Sequence, residues 1–153
     1  MINFLSYAAA ATLLVVQGSQ HVTDGDTIRI GETRIRLEGI DAPELSQTCT
    51  REDGTEWRCG ELARTALSQK IANQPVRCKI SGTDTYRRSL GTCSVGNLNL
   101  NQWLVQSGWA IAYQRYSKAY VADEQEARRR RLNIWSGEFQ KPDAFRARKG
   151  HRQ

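Results

Sequence analysis

Hydrophobic and polar residues alternate over Thr27-Ile28-Arg29-Ile30 and again over Thr33-Arg34-Ile35-Arg36-Leu37, with Gly31-Glu32 between them. This period of two predicts two half-buried strands joined by a tight turn. In the second strand Ile35 and Leu37 share one face, so Arg34 and Arg36 point to the other. Arg36 is therefore expected to face outward, open to a ligand. Residues 60–73 carry a helical pattern, with Leu62, Ala66 and Ile71 near one stripe and Pro75 just past the end. Residues 76–80 and 90–95 read as an antiparallel hairpin. Residues 99–106 predict a short helix stopped near Gly108, and a third helix is expected from about Tyr120 to Arg131. The Arg128–Arg131 run in that helix cannot share one face, because consecutive residues step about 100° around the axis.

Strands first, then one helix, two more strands and two helices imply an α+β chain with a mainly β core. The order fits a five-stranded OB-fold barrel with about three appended helices, a fold that offers an open face and loops to oligonucleotides. At 153 residues, 39% apolar and 25% charged, the chain has room for one soluble domain and not for two. The net charge of +6 is unevenly spread: from Arg128 onward there are nine Lys/Arg against two Asp/Glu, and the remainder is close to neutral. A basic end beside a neutral body suits capture of a polyanion such as nucleic acid. It equally suits a solvated helix face followed by a disordered end.

Residues 2–16 are almost uncharged and mostly apolar. The run is short for a membrane span, so no stable span is expected. It has the length of a secretory hydrophobic segment, with small or modest residues at Val16-Gln17-Gly18, although no Lys or Arg precedes it. The alternative is an N-terminal strand or helix packed on the domain. The expected segments are a signal-like stretch at 1–18, the domain at 19–138 and a basic tail at 139–153.

Four cysteines sharpen the picture. Cys78 and Cys93 lie equally far from the centre of the expected hairpin, which sets them opposite each other within disulfide reach. Cys49 and Cys59 bracket a polar loop whose closure contributes roughly 2–3 kcal/mol where geometry permits. A zinc site is the competing reading, but no Cys-x-x-Cys spacing exists and His21 and His151 are remote. Two disulfides imply an oxidising compartment, periplasmic or secreted.

The candidate chemistry lies between Asp24 and Glu44: Asp24-Gly25-Asp26-Thr27, then Arg34-Ile35-Arg36-Leu37, then Gly39-Ile40-Asp41-Ala42-Pro43-Glu44. Spaced carboxylates with an arginine between them can hold a hard cation and a phosphate side by side. A lone Asp-Gly is a common turn, and a single arginine is most often a surface charge. The joint pattern carries the weight. It closely resembles the staphylococcal nuclease (thermonuclease) family, from about Val22 to Trp135.

The resemblance implies an OB fold, and it implies roles residue by residue. Asp26 and Asp41 match the metal-binding aspartates, Ala42 supplies a backbone carbonyl ligand, and Asp24 matches a further acidic residue near the metal. Glu44 matches the glutamate beside the attacking water, and Arg36 the first phosphate-binding arginine. In Thr83-Asp84-Thr85-Tyr86-Arg87-Arg88, Arg88 aligns with the second such arginine and Tyr86 with a substrate-contacting tyrosine. Here the chain departs from the family: Thr85 lacks a basic side chain and Arg87 replaces a glycine, which predicts strain if the turn needs positive φ. That leaves open whether Arg87 or Arg88 is the working arginine. Tyr113 resembles another substrate-facing tyrosine. The implied activity is a Ca²⁺-dependent endonuclease of low sequence specificity that leaves 3′-phosphate ends on DNA or RNA, acting as a monomer. Three carboxylates suit Mn²⁺ and Mg²⁺ as well. The alternative is a non-catalytic nucleic-acid-binding domain of the same fold.

Overall fold

A computed structural model describes residues 14–115 and 117–151. Most of the signal-like stretch, residues 1–13, lies outside the described residues. Its last residues form a strand: β1 (Leu14–Gln17) pairs antiparallel with β8 (Val76–Thr83). Next come β2 (Gln20–Asp24), β3 (Thr27–Ile30), β4 (Thr33–Leu37) and the short β5 (Ile40–Asp41). The alternating strands fall where the period of two predicts, with Ile28 opposite Ile35 and Thr27 opposite Arg36. Ile28, Ile35 and Leu37 are fully buried. β9 (Ser89–Val95) pairs antiparallel with β8 and parallel with β4, giving the order β1-β8-β9-β4-β3-β2. β10 (Leu98–Asn99) adds to β9. The result is an α+β fold on a curled sheet, with more strands than the expected five.

Small pairings complete the frame. β6 (Cys49–Thr50) pairs with β7 (Glu56–Trp57), and β5 pairs with β11 (Ile111–Ala112). Both cysteine pairs are bonded, Cys49 to Cys59 and Cys78 to Cys93, the latter in direct cross-strand register.

Helix α1 (Cys59–Ile71) buries Cys59, Ala63, Leu67 and Ile71, spaced by four, against the sheet. The stripe is therefore one residue away from the expected Leu62 and Ala66: Leu62 is exposed. The disulfide at Cys59 and the strict i, i+4 series fix the rotation, which a looser reading of apolar positions missed. α2 (Leu100–Gln106) is capped by Asn99, whose side chain accepts from Gln102 N at 3.0 Å. α3 (Val121–Arg129) packs on α2 and sends buried Glu124 to Ala112 N, 3.0 Å away. A 3₁₀ turn (Asn133–Ser136) follows.

The stretch expected as a basic tail then forms a fourth helix, α4 (Pro142–Gly150). Proline at the first helical position, Asp143 in the first turn, and Arg148 and Lys149 in the last agree with helix-end chemistry. Three appended helices thus become four. Among the described residues no helix is long and apolar enough to cross a membrane.

Candidate active site

The sheet and two turns gather the acidic cluster. Asp26 lies in the β2–β3 turn, its backbone oxygen accepting from Leu37 N at 2.8 Å and its Oδ2 from Ala42 N at 2.7 Å. Asp24 Oδ1 accepts from Asp26 N at 3.0 Å, an Asx-type turn. Gly25 makes the approach possible. A Cβ there would stand 2.7 Å from Ala42 Cβ and 3.0 Å from Ala63 Cβ. Only a residue without a side chain lets this turn reach both Ala42, just past β5, and Ala63 of α1.

Arg36 bridges the two aspartates. Nη2 donates to Asp41 Oδ1 at 3.0 Å, and Nη1 lies 2.5 Å from Asp26 Oδ2. The arginine does leave the core face, as alternation requires. It does not reach open solvent, because the carboxylates enclose it to 12% side-chain exposure. Nη1 is buried against Asp26, so Arg36 can turn to an incoming oxygen only when another cation takes up its carboxylates.

Glu44 follows β5 on a loop braced by Gln47. Glu44 N donates to Gln47 Oε1 at 3.1 Å, and Gln47 N donates to Glu44 O at 2.8 Å. Buried Gln47 also donates through Nε2 to Gln140 O at 2.6 Å. Thr50 and Glu138 exchange backbone hydrogen bonds of 2.8 Å in both directions. These bonds turn the C-terminal segment back over the loop, and α4 arrives at the carboxylates. Arg146 Nη1 donates to Asp41 Oδ1 at 2.9 Å and to Glu44 Oε1 at 2.7 Å, and Nη2 to Asp41 Oδ2 at 3.0 Å. Lys149 donates to Ser46 Oγ at 2.9 Å.

Sequence reasoning missed both Arg146 and Gln47. Pro142-Asp143 ahead of a basic run was a legible helix signal. Nothing in the sequence says where that helix docks.

The site's electrostatics follow from burial. Burial, reinforced by the charge of Asp26, pushes Asp24 up to about 7. Burial also raises Asp41, against the hydrogen bonds of Arg146 and the charge of Arg36. For Arg36 burial acts downward, and the charges of Asp26 and Asp41 outweigh it, so the group stays above its ordinary value. Arg146 behaves the same way on Asp41 and Glu44. Asp26, Asp41 and Glu44 face two guanidinium groups, Asp24 stands beside Asp26, and the donor set is all oxygen. That chemistry fits a hard divalent cation. A guanidinium already standing on both oxygens of Asp41 shows that the cluster takes a cation. Among the described residues no three His, Cys, Asp or Glu side chains form a ready-made metal cage. A metal here would draw on two aspartates, the Ala42 carbonyl and water.

The second block lies at the tip of the β8–β9 hairpin, next to the strand that carries Arg36. Arg88 precedes Ser89, which registers with Ile35 of β4. Its Nε donates to Asp84 Oδ2 at 2.7 Å, and its guanidinium lies 5.6 Å from the Tyr86 ring centroid. Arg87 is exposed at φ +61°, so the left-handed geometry expected from its alignment with a glycine is present. Tyr86 is 75% exposed. Tyr113 donates its backbone N–H to Gly39 O at 2.9 Å and lines an open cleft of about 800 Å³ with Arg115, Arg128, Trp135, Phe139 and Lys141.

The proteins that this chain matches make it an enzyme of the hydrolase class, built on a curled sheet. The staphylococcal nuclease homologue family matches residues 34–137, more than half of the chain. This protein belongs to the staphylococcal nuclease family. It is 38% identical over 131 residues to the succinoglycan biosynthesis protein ExoI of Rhizobium meliloti, covering 84% of this chain and 68% of that one. It is 34% identical over 132 residues to a micrococcal nuclease of Shigella flexneri, covering 75% and 70%. Protein ParB of Escherichia coli is 33% identical over 158 residues, covering 86% and 84%. Asp24, Asp26 and all of α4 lie outside the family match.

Proposed function

We propose that this protein is a divalent-metal-dependent endonuclease that hydrolyses phosphodiester bonds in DNA or RNA with little sequence preference. The observation that carries the reading is Arg36, held between Asp26 and Asp41 with Glu44 on the adjoining loop. Asp26, Asp41 and the carbonyl of Ala42 are the proposed ligands, and Ca²⁺ the proposed ion, with Mn²⁺ and Mg²⁺ also suited to oxygen donors. When bound, such an ion supplies Lewis acidity at a phosphoryl oxygen.

The chain's own groups do the rest. Glu44, with 35% of its side chain exposed, accepts the proton of the attacking water. Arg36 is the proposed clamp on a phosphoryl oxygen once a bound ion shares Asp26 and Asp41 with it, and Arg88 supplies the second guanidinium once the substrate competes with Asp84. The water oxygen bonds to phosphorus, the P–O5′ bond breaks, and O5′ takes a proton from solvent, leaving a 3′-phosphate end. Tyr86 and Tyr113 offer rings for base or sugar contact, and exposed Arg87 adds phosphate attraction. Two disulfides support a periplasmic or secreted location, and a monomer suffices for the site.

The test is cleavage of single- and double-stranded DNA by the oxidised protein in Ca²⁺ and in EDTA, with Glu44→Gln as control. Cleavage is expected in Ca²⁺ only and lost in the variant. Tight binding without cleavage in any divalent ion would instead make the protein a nucleic-acid-binding domain.

A further inference from the structure

Helix α4 begins after the family match ends, yet it places a guanidinium at the centre of the acidic cluster. Arg146 occupies both carboxylate oxygens of Asp41 and one of Glu44. Asp41 is fully buried and also holds Arg36 through Oδ1. While Arg146 is docked, Oδ1 accepts from both arginines and Oδ2 from Arg146, so both oxygens already face a cation and a metal would meet the guanidinium charge. The two cations therefore compete for one acceptor.

We propose that Arg146 is a resident cation of this site, holding on Asp41 the place a divalent metal needs, so that metal binding requires α4 to release it. The inference rests on the metal-dependent reading above.

The anchoring of α4 suits such an exchange. Upstream, Gln47–Gln140 and the Thr50–Glu138 pair fix the segment that leads into the helix. Beyond that segment, the polar ties to the acidic loop are Arg146 and the exposed Lys149–Ser46 bond. Arg146 itself is 38% exposed, so water can reach it when it leaves. The helix can lift without opening the sheet, because its one buried residue is Pro142, at the first turn.

A docked population of about 90–99% weakens the apparent metal affinity about 10- to 100-fold, since only the released fraction can bind. Arg146→Ala should therefore bind Ca²⁺ at least tenfold more tightly than the wild type in isothermal titration calorimetry on the full chain. Lys149→Ala, which touches no proposed metal ligand, should shift affinity in the same direction by less. In the wild type, Ca²⁺ should speed trypsin cleavage within α4. Equal or weaker affinity in Arg146→Ala, or α4 unchanged or protected by Ca²⁺, would overturn the inference. If cleavage of DNA still needs Ca²⁺ and Glu44 in that case, the nuclease reading stands and only this exchange falls. Absence of metal binding in all three proteins would remove both.

Discussion

Replacing Arg36 with Met tests the electrostatic core of the site through stability, without any assay of activity. Asp41 is fully buried and the Asp26 side chain is 9% exposed, and Arg36 joins them. Methionine keeps much of the length and removes the charge. Asp26 and Asp41 then face each other with Asp24 beside them. Breaking a buried ion pair by deleting one partner costs about 3–5 kcal/mol. Two carboxylates lose a partner here, but Asp41 keeps Arg146, so the same range applies to the site as a whole. A domain of this size is stable by roughly 5–15 kcal/mol, so the variant should fold with a much reduced margin. With a urea slope near 2 kcal/mol/M, the midpoint should fall by about 1.5–2.5 M. The assay is urea denaturation of the oxidised protein in EDTA at pH 7, followed by tryptophan fluorescence. The loss should shrink toward pH 5, because Asp24 and Asp41, both raised by burial, relieve the repulsion by binding protons. A midpoint within about 0.5 M of wild type at pH 7 would refute the reasoning and make Arg36 a solvated arginine with no structural load.

Arg36→Lys keeps the charge but not the planar fork that spans two carboxylates; kcat should fall by roughly two orders of magnitude or more, and full activity would remove Arg36 from the mechanism. Asp24 has a folded pKa of about 7 against an ordinary 3.8, so the native state holds a proton that the unfolded chain has released between those values. Stability of the metal-free protein should therefore fall as pH rises from about 4 to 7, by roughly 2–4 kcal/mol, and Asp24→Asn should flatten that slope in urea titrations across pH. Gly25→Ala should destabilise by about 1–3 kcal/mol, as overpacking does, and should weaken Ca²⁺-dependent cleavage, because its methyl must displace Ala42 from beside Asp41. Cys78→Ala with Cys93→Ala removes a bridge spanning 15 residues and should lower stability by about 3 kcal/mol in chemical denaturation.

What could be read from the sequence divides along physical lines. The strands at 27–30 and 33–37 were legible because one face is buried and one is not, so the period of two is enforced by the core. The Cys78–Cys93 bridge was legible because a hairpin's register is set by symmetry about its turn. The rotation of α1 was not, because alanines and leucines on both sides of the true stripe are chemically equivalent until the disulfide and the sheet choose between them. The number of strands was missed at two-residue elements such as β5, β6, β7, β10 and β11, which are too short to show any period, and at β2, which was not read as a strand.

At the site, the motif located Asp26, Arg36, Asp41 and Glu44, since these residues lie within nineteen positions of one another and one turn and one strand pair bring them together. Their burial was invisible. Exposure of Arg36 was inferred from its face of the strand, and alternation alone cannot show what covers that face. The cover comes from residue 146, more than a hundred positions away. A charge run at a chain end has the same composition whether it is solvated or docked. What separates the two is an acceptor with unmet charge, and the cluster is one: Asp26 and Asp41 share the single charge of Arg36, with Glu44 nearby, an excess of negative charge that burial makes expensive. Some cation must enter that space. The question for this enzyme is therefore which cation holds Asp41 at a given metal concentration, the one the chain brings on α4 or the one it takes from solution.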